Sequence, residues 1–236
     1  MNAPYKIYSA LASVFGPQGW WPVTPEGHVR PLYKRGRFKL RSDRERFEVA
    51  VGAILTQNTA WTNVERALVN LNVAGGISPE TVLKTDSARL AGLIRSSGYY
   101  VQKEKKLRLF SEYLVAKHPE GLGKWLGGPL TGVRAEILSL WGIGGETADS
   151  ILLYAGARKT FVADAYTVRL GRRMGWFETN DYDAVKNFFE KALPRDLEVF
   201  NEFHALIVAL GKDFCKPRPL CAECPLRRLC GKKGVV

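Results

Sequence analysis

The segment Leu140-Trp-Gly-Ile-Gly-Gly-Glu-Thr-Ala148 constrains the fold of this 236-residue chain more than any other. Apolar residues at helical spacing lead into it and away from it, so one helix is expected to end at Trp141 and another to begin near Glu146. Three glycines turn the chain between them. Gly142, Gly144 and Gly145 can take backbone angles closed to other residues, and they leave the backbone bare. Two readings of the turn stand side by side. It is an ordinary tight helix–helix connection, or its N–H groups, beside a helix N-terminus, form a cradle for phosphate.

Helical periodicity dominates the rest of the chain. Ile7, Leu11, Val14 and Phe15 share one face of a first helix, and two helices between Arg46 and Leu71 break around Gln57–Thr59. Ser78 reads as the cap of a helix with Pro79 in its first turn, and Gly98 as the stop of the following one. Lys103–Lys117 reads as a solvated amphipathic helix; its Lys103, Lys105, Lys106 and Arg108 are a solvated face or phosphate contacts. Further helices are expected over Val133–Leu140, Glu146–Ala155, Ala165–Gly175, Tyr182–Leu193 and Leu197–Leu210, the last with His204 as a hydrogen-bonded core residue. Alternating strands are nearly absent, so the fold class is all-α. Two helical lobes are expected: residues 42–157, with the hairpin at about 132–155, and residues 1–41 plus 158–236. Pro17–Arg41, rich in Gly, Pro and Arg, reads as an irregular crossing between them.

Thirty-five Lys and Arg against 23 acids leave a net charge of +12, which favours a polyanionic partner such as nucleic acid over a merely basic soluble protein. No apolar run is long enough to span a membrane, so no membrane partner is expected. The first residues lack a signal peptide's pattern, and an intracellular, cytoplasmic and nucleoid-associated protein is expected. All four cysteines fall in the last 22 residues, as Cys215-x5-Cys221-x2-Cys224-x5-Cys230. Four thiols crowded into one short loop suggest a metal centre, and they suit tetrahedral zinc or a cubane cluster.

Downstream of the hairpin, Thr160-Phe-Val-Ala-Asp164 runs straight into a helix for which Asp164 is the expected N-cap. A glycine hairpin followed about twenty residues later by Val-x-Asp resembles the endonuclease III-like superfamily of DNA glycosylases, over about Phe47 to Cys230. The resemblance implies double-stranded DNA with a damaged base as partner, acted on by a monomer. It makes Asp164 the catalytic aspartate, and Ala53-Ile-Leu-Thr-Gln-Asn-Thr59 the segment whose glutamine, Gln57, enters the gap left by a flipped base. Gly142, Gly144 and Gly145 are then DNA contacts. Arg169, on the helix that Asp164 begins, is expected near DNA as well. The cysteine spacing resembles that superfamily's four-iron four-sulfur loop, one residue short in the first gap, which makes Cys215, Cys221, Cys224 and Cys230 the implied ligands.

One departure is informative. Members that also cut the backbone carry a Schiff-base lysine where this chain has Glu146, and no lysine lies between Lys124 and Lys159. Without an amine there, covalent strand cleavage loses its nucleophile, which points to a monofunctional enzyme. Trp20-Trp21-Pro22, Phe47, Ser97-Gly-Tyr-Tyr-x-Gln-Lys103 and Gly142-Ile-Gly-x-Glu-x-Ala-Asp149 together look like the bacterial monofunctional 3-methyladenine DNA glycosylases of this type. The resemblance makes Trp20, Trp21 and Phe47 the base pocket. An alkylated purine is cationic, and aromatic faces attract cations by roughly 0.5–2 kcal/mol per contact. Two rivals stay open: a bifunctional glycosylase/lyase for oxidised pyrimidines, and a non-catalytic DNA-binding module.

Overall fold

The computed structural model describes residues 3–235, and they form an all-helical protein. Among them the only strand-like pairing is a single antiparallel bridge between Val23 and Leu32. The chain divides into two compact units: residues 21–158, and residues 1–20 together with 159–236.

The unit 21–158 is built around α2 (Asp43–Leu55), which Ser42 caps by accepting the Glu45 N–H. From Phe47 to Leu55 every residue of α2 is buried, because α3 (Trp61–Val73), α6 (Tyr100–Lys117) and α7 (Leu122–Leu126) pack around it. Helix α4 (Pro79–Lys84) starts on its Ser78 cap, whose hydroxyl accepts the Thr81 N–H, and α5 (Ser87–Leu93) follows on an Asp86 cap. A 3-10 turn over Arg95–Ser97 then ends at Gly98, which holds φ +67. Helices α8 (Leu130–Ser139) and α9 (Gly145–Ser150) form the hairpin, and α9 continues as a π-helical turn over Ile151–Ala155.

Residues 21–41, expected with the other lobe, belong to this unit. The cause is a buried carboxylate in the middle of α2. Glu48 accepts the Thr24 N–H at 2.9 Å and the Thr24 hydroxyl at 2.6 Å, while Arg44 reaches both Glu48 and the Thr24 carbonyl. Asn72 on α3 donates to the Thr24 hydroxyl and to the Val29 carbonyl. A carboxylate buried this deeply needs partners, and the irregular segment supplies them. Burial nevertheless raises its pKa.

The other unit packs α1 (Ala3–Phe15), α10 (Ala165–Met174) and α11 (Tyr182–Ala192) with the long α12 (Leu197–Asp213). Its core is aromatic: Phe161 stacks on Phe189 at 4.6 Å, with Phe200 and Phe203 edge-on. On α1, Ile7 and Leu11 are buried as expected, but Val14 is exposed. Gly211 and Gly171 have no room for a Cβ, because the rings of Tyr166 and Phe177 lie against them. These contacts hold α10 at the start of the C-terminal loop.

Candidate active site

Three constellations carry chemistry, and each lies within one unit. The first is at the start of α10. Asp164 is the helix N-cap, as expected: its Oδ1 accepts the Thr167 N–H at 2.8 Å and the Thr167 hydroxyl at 2.9 Å. Its Oδ2 lies 3.5 Å from His204 Nε2. The residue is 9% exposed. Burial pushes the carboxyl pKa up, but the His204 contact and the two Thr167 hydrogen bonds outweigh it and hold the value below the ordinary 3.8. One oxygen is thus committed to the helix, and the other faces an imidazole.

Trp20 meets the same imidazole, edge-on at 5.8 Å. Its loop is tied down by Glu202 of α12, which accepts the Gln18 N–H at 2.7 Å and the Gly19 N–H at 3.4 Å. Trp20 is half-buried, and Lys212 Nζ stands 6.0 Å from its ring centroid. Trp21 and Phe47 have a different setting. Trp21 belongs to the other unit, 7% exposed, with Trp61 edge-on at 5.4 Å and Tyr154 at 5.3 Å. Gly52 of α2 gives it room, since a Cβ there would sit 3.0 Å from the indole nitrogen. Phe47 is 1% exposed and stacks on Phe110 in the same core. Neither ring presents an open face within its own unit, whereas Trp20 is half-buried. The neighbouring tryptophans divide because the chain passes from one unit to the other between them.

The second constellation is the hairpin. Gly142 holds φ +77, a conformation that disfavours any side chain, and a Cβ would collide with the Lys106 stem lying across it. Gly144 is the N-cap of α9 with open space where a Cβ would be, and Gly145 opens the helix. A bidentate pair between Arg134 of α8 and Asp149 of α9 braces the two helices. Gln57 lies in the turn after α2 but is not free-standing. Its amide nitrogen donates to the Gly142 carbonyl at 3.1 Å and the Thr147 hydroxyl at 2.9 Å, and its oxygen accepts from Lys106.

Two lysines of α6 depart from the expected solvated face. Lys103 is 1% exposed, and its ammonium donates to the Leu55 and Ser97 carbonyls, both at 2.7 Å. Burial, with the charge of Lys106 added, lowers its pKa to about 8. Burial also lowers that of Lys106. Arg108 pairs with Glu104 and reaches the Leu83 and Thr85 carbonyls, which leaves Lys105 over the Trp141 ring.

The third constellation is the cysteine loop. Cys215, Cys221, Cys224 and Cys230 line one pocket floored by Leu170, Leu210 and Leu226. Burial raises the Cys224 and Cys230 thiols, and the other cysteines add to the rise. Among the described residues no three His, Cys, Asp or Glu close on a single metal ion. Four thiols on one pocket are the donor set that either tetrahedral zinc or an iron–sulfur cubane takes. Helix α10 grips this loop. Arg169 donates to the Cys215 carbonyl at 2.7 Å, and Arg173 donates to Cys215 Sγ at 3.1 Å and to the Lys216 and Pro217 carbonyls. Arg169, expected at DNA, is thus occupied inside the protein.

His204, expected as a hydrogen-bonded core residue, is buried and faces Asp164, a pairing the sequence reading did not foresee. Its signal was present: Asn201, Glu202 and His204 interrupt an otherwise apolar, buried helix, and buried polar groups need partners.

The HhH-GPD superfamily of base excision DNA repair proteins matches residues 51–195. A Methanocaldococcus jannaschii protein, named provisionally as a DNA repair glycosylase, is 43% identical over 97% of this chain and 96% of its own length. Endonuclease III of Thermotoga maritima is 32% identical over 78% of this chain and 82% of its own. Among solved structures, H. pylori 3-methyladenine DNA glycosylase bound to 1,N6-ethenoadenine superposes with a TM-score of 0.71 at 27% identity, over 89% of this chain and 97% of that one. A non-covalent endonuclease III–DNA complex shares the fold at a TM-score of 0.73 and 20% identity, over 98% and 97%.

The depressed Asp164 carboxyl sets a pH signature. A lowered folded pKa contributes stability at neutral pH and loses it as pH falls through that value. The stability difference between wild type and Asp164→Asn, measured by chemical denaturation, should be level near pH 7 and shrink towards about pH 3. A difference that stays level throughout would show that the carboxylate charge is not stabilised.

Proposed function

The chain belongs to the HhH-GPD superfamily of base excision DNA repair proteins, and from that premise we propose a monofunctional glycosylase that releases alkylated purines such as 3-methyladenine from double-stranded DNA. The observation that carries the reading is the divided carboxylate of Asp164. Oδ1 is spent on Thr167, which fixes the group's orientation, and Oδ2, beside His204 Nε2, is the oxygen we assign to the sugar of a bound nucleotide. As the C1′–N bond breaks, its electron pair leaves with the base and positive charge develops on the deoxyribose. An ionised, oriented carboxylate stabilises that charge, takes a proton from the attacking water, or does both.

Substrate choice rests on Trp20. The ammonium of Lys212 already stands over this ring, the relation a cationic purine would adopt. A cationic base leaves as a neutral molecule and needs no protonation, which suits a site with one carboxylate. Trp21 and Phe47 are buried in the core of the other unit. The hairpin backbone at Gly142, Gly144 and Gly145 holds a phosphate, and Gln57, released from it, fills the gap.

The position where a Schiff-base lysine would stand holds Glu146 instead. Glu146 stands in the first turn of α9, and the two lysines of lowered pKa are committed, Lys103 to two carbonyls and Lys106 to Gln57. Incubation with methylated duplex should therefore release free methylpurine, and borohydride should trap no protein–DNA adduct. Release of no methylpurine would overturn the substrate reading; a trapped adduct would overturn the monofunctional one.

The four cysteines fit a four-iron four-sulfur cluster, for which Cys215, Cys221, Cys224 and Cys230 would supply the thiolates. Base excision needs no electrons, so its contribution is to hold the C-terminal loop in place. The purified protein should absorb near 400 nm and carry about four irons per chain. Stoichiometric zinc without that band would contradict the assignment. The reading takes the protein as a monomer acting on DNA in the cytoplasm or nucleoid; no helix among the described residues is long and apolar enough to cross a membrane.

A further inference from the structure

Trp141 precedes the first hairpin glycine and is 51% exposed, although the hairpin has no structural need of it: Ile143 supplies the buried apolar contact of the turn. Its ring is not left to chance. Lys105 Nζ stands 4.6 Å from the ring centroid, and Lys105 carries no ion pair among the described residues. Val101, one turn earlier on the same face of α6, is exposed, as is Tyr99, which holds φ +45 at the helix start. Burying none of these side chains, the fold keeps an aromatic ring and an uncompensated ammonium beside the phosphate cradle.

We propose that Trp141 and Lys105 form a second grip on the DNA sugar–phosphate backbone, outside the glycine cradle. Lys105 takes one phosphate, and the ring face turned away from it packs on a deoxyribose or an unstacked base. Three observations favour nucleic acid over a protein on this face. The chain carries a net charge of +12. The cation lies over the ring without neutralisation, and the pair is continuous with backbone N–H groups suited to phosphate. The proposal rests on the reading of the hairpin as a DNA contact.

The test is the affinity of the full chain for a labelled undamaged duplex, measured between about 50 and 200 mM salt. Each phosphate contact contributes about 0.9 to the slope of log K against log salt, so Lys105→Met should flatten the slope by about that amount. Stacking on one base or sugar contributes roughly 1–3 kcal/mol and releases no counterions, so Trp141→Ala should weaken binding about 5-fold or more at every salt with its slope unchanged. Trp141→Phe should restore most of that loss. Both sites are surface positions, and unchanged melting temperatures would verify the folds. Wild-type affinity and slope in both variants would overturn the proposal. So would concentration-dependent self-association that Trp141→Ala abolishes while DNA binding is kept, since a second copy would then cover the face. Failure of the wild type to release methylpurine would count against the proposed function alone and leave this result standing.

Discussion

The carboxylate of Asp164 does two jobs with two oxygens, and the arrangement of its unit follows from that division. Capping fixes the first turn of α10, and the His204 contact, with the capping hydrogen bonds added, keeps the acid ionised although it is buried. At the other end of the helix, Arg169 and Arg173 hold the loop of four cysteines. One ten-residue helix therefore carries the proposed reactive group at its start and a clasp for the loop along its second half. Its orientation is set by both, and by Gly211 and Gly171, which let Tyr166 and Phe177 lie flush against neighbouring helices. On this view, the loop's worth to the chemistry is mechanical: it steadies the helix that presents the acid.

The other unit solves a different problem, that of keeping loops rigid enough to meet DNA. A buried ammonium, Lys103, ties the end of α2 to the turn before Tyr99 through two carbonyls that would otherwise lack donors. Lys106 covers Gly142 and holds Gln57, whose amide is fully used by the hairpin. On the proposed reading, Gln57 enters DNA only by exchanging these hydrogen bonds for new ones. The exchange is near balance in number, so the latch need not be a large barrier, and it keeps the glutamine ordered until DNA arrives.

Much of this was legible in the residues. Caps at Ser78 and Asp164, the stop at Gly98 and the glycine turn follow from local chemistry, and local chemistry survives folding. What was misread depends on contacts between distant segments. Lys103 shares a helical face with Leu107, Phe110 and Leu114, so its spacing placed it in the core, but its charge argued for water and the two carbonyls awaiting it were not visible. Trp20 and Trp21 looked like one feature because they are adjacent, whereas the unit boundary runs between them. Residues 21–41 have the composition of a linker, and only Glu48, buried in α2, shows why they pack where they do. Arg169 lies on the right helix for a DNA contact but is claimed by the Cys215 carbonyl.

The central claim is that Asp164 performs the chemistry and does not merely cap a helix. Single-turnover release of free methylpurine by Asp164→Asn, measured together with its affinity for the same DNA, separates the two roles, since asparagine caps a helix about as well as aspartate. The account predicts affinity kept or increased and release slowed by about 100- to 10,000-fold, the range of a lost acid–base group. Release at the wild-type rate, or a loss of affinity that fully accounts for slower release, would contradict it.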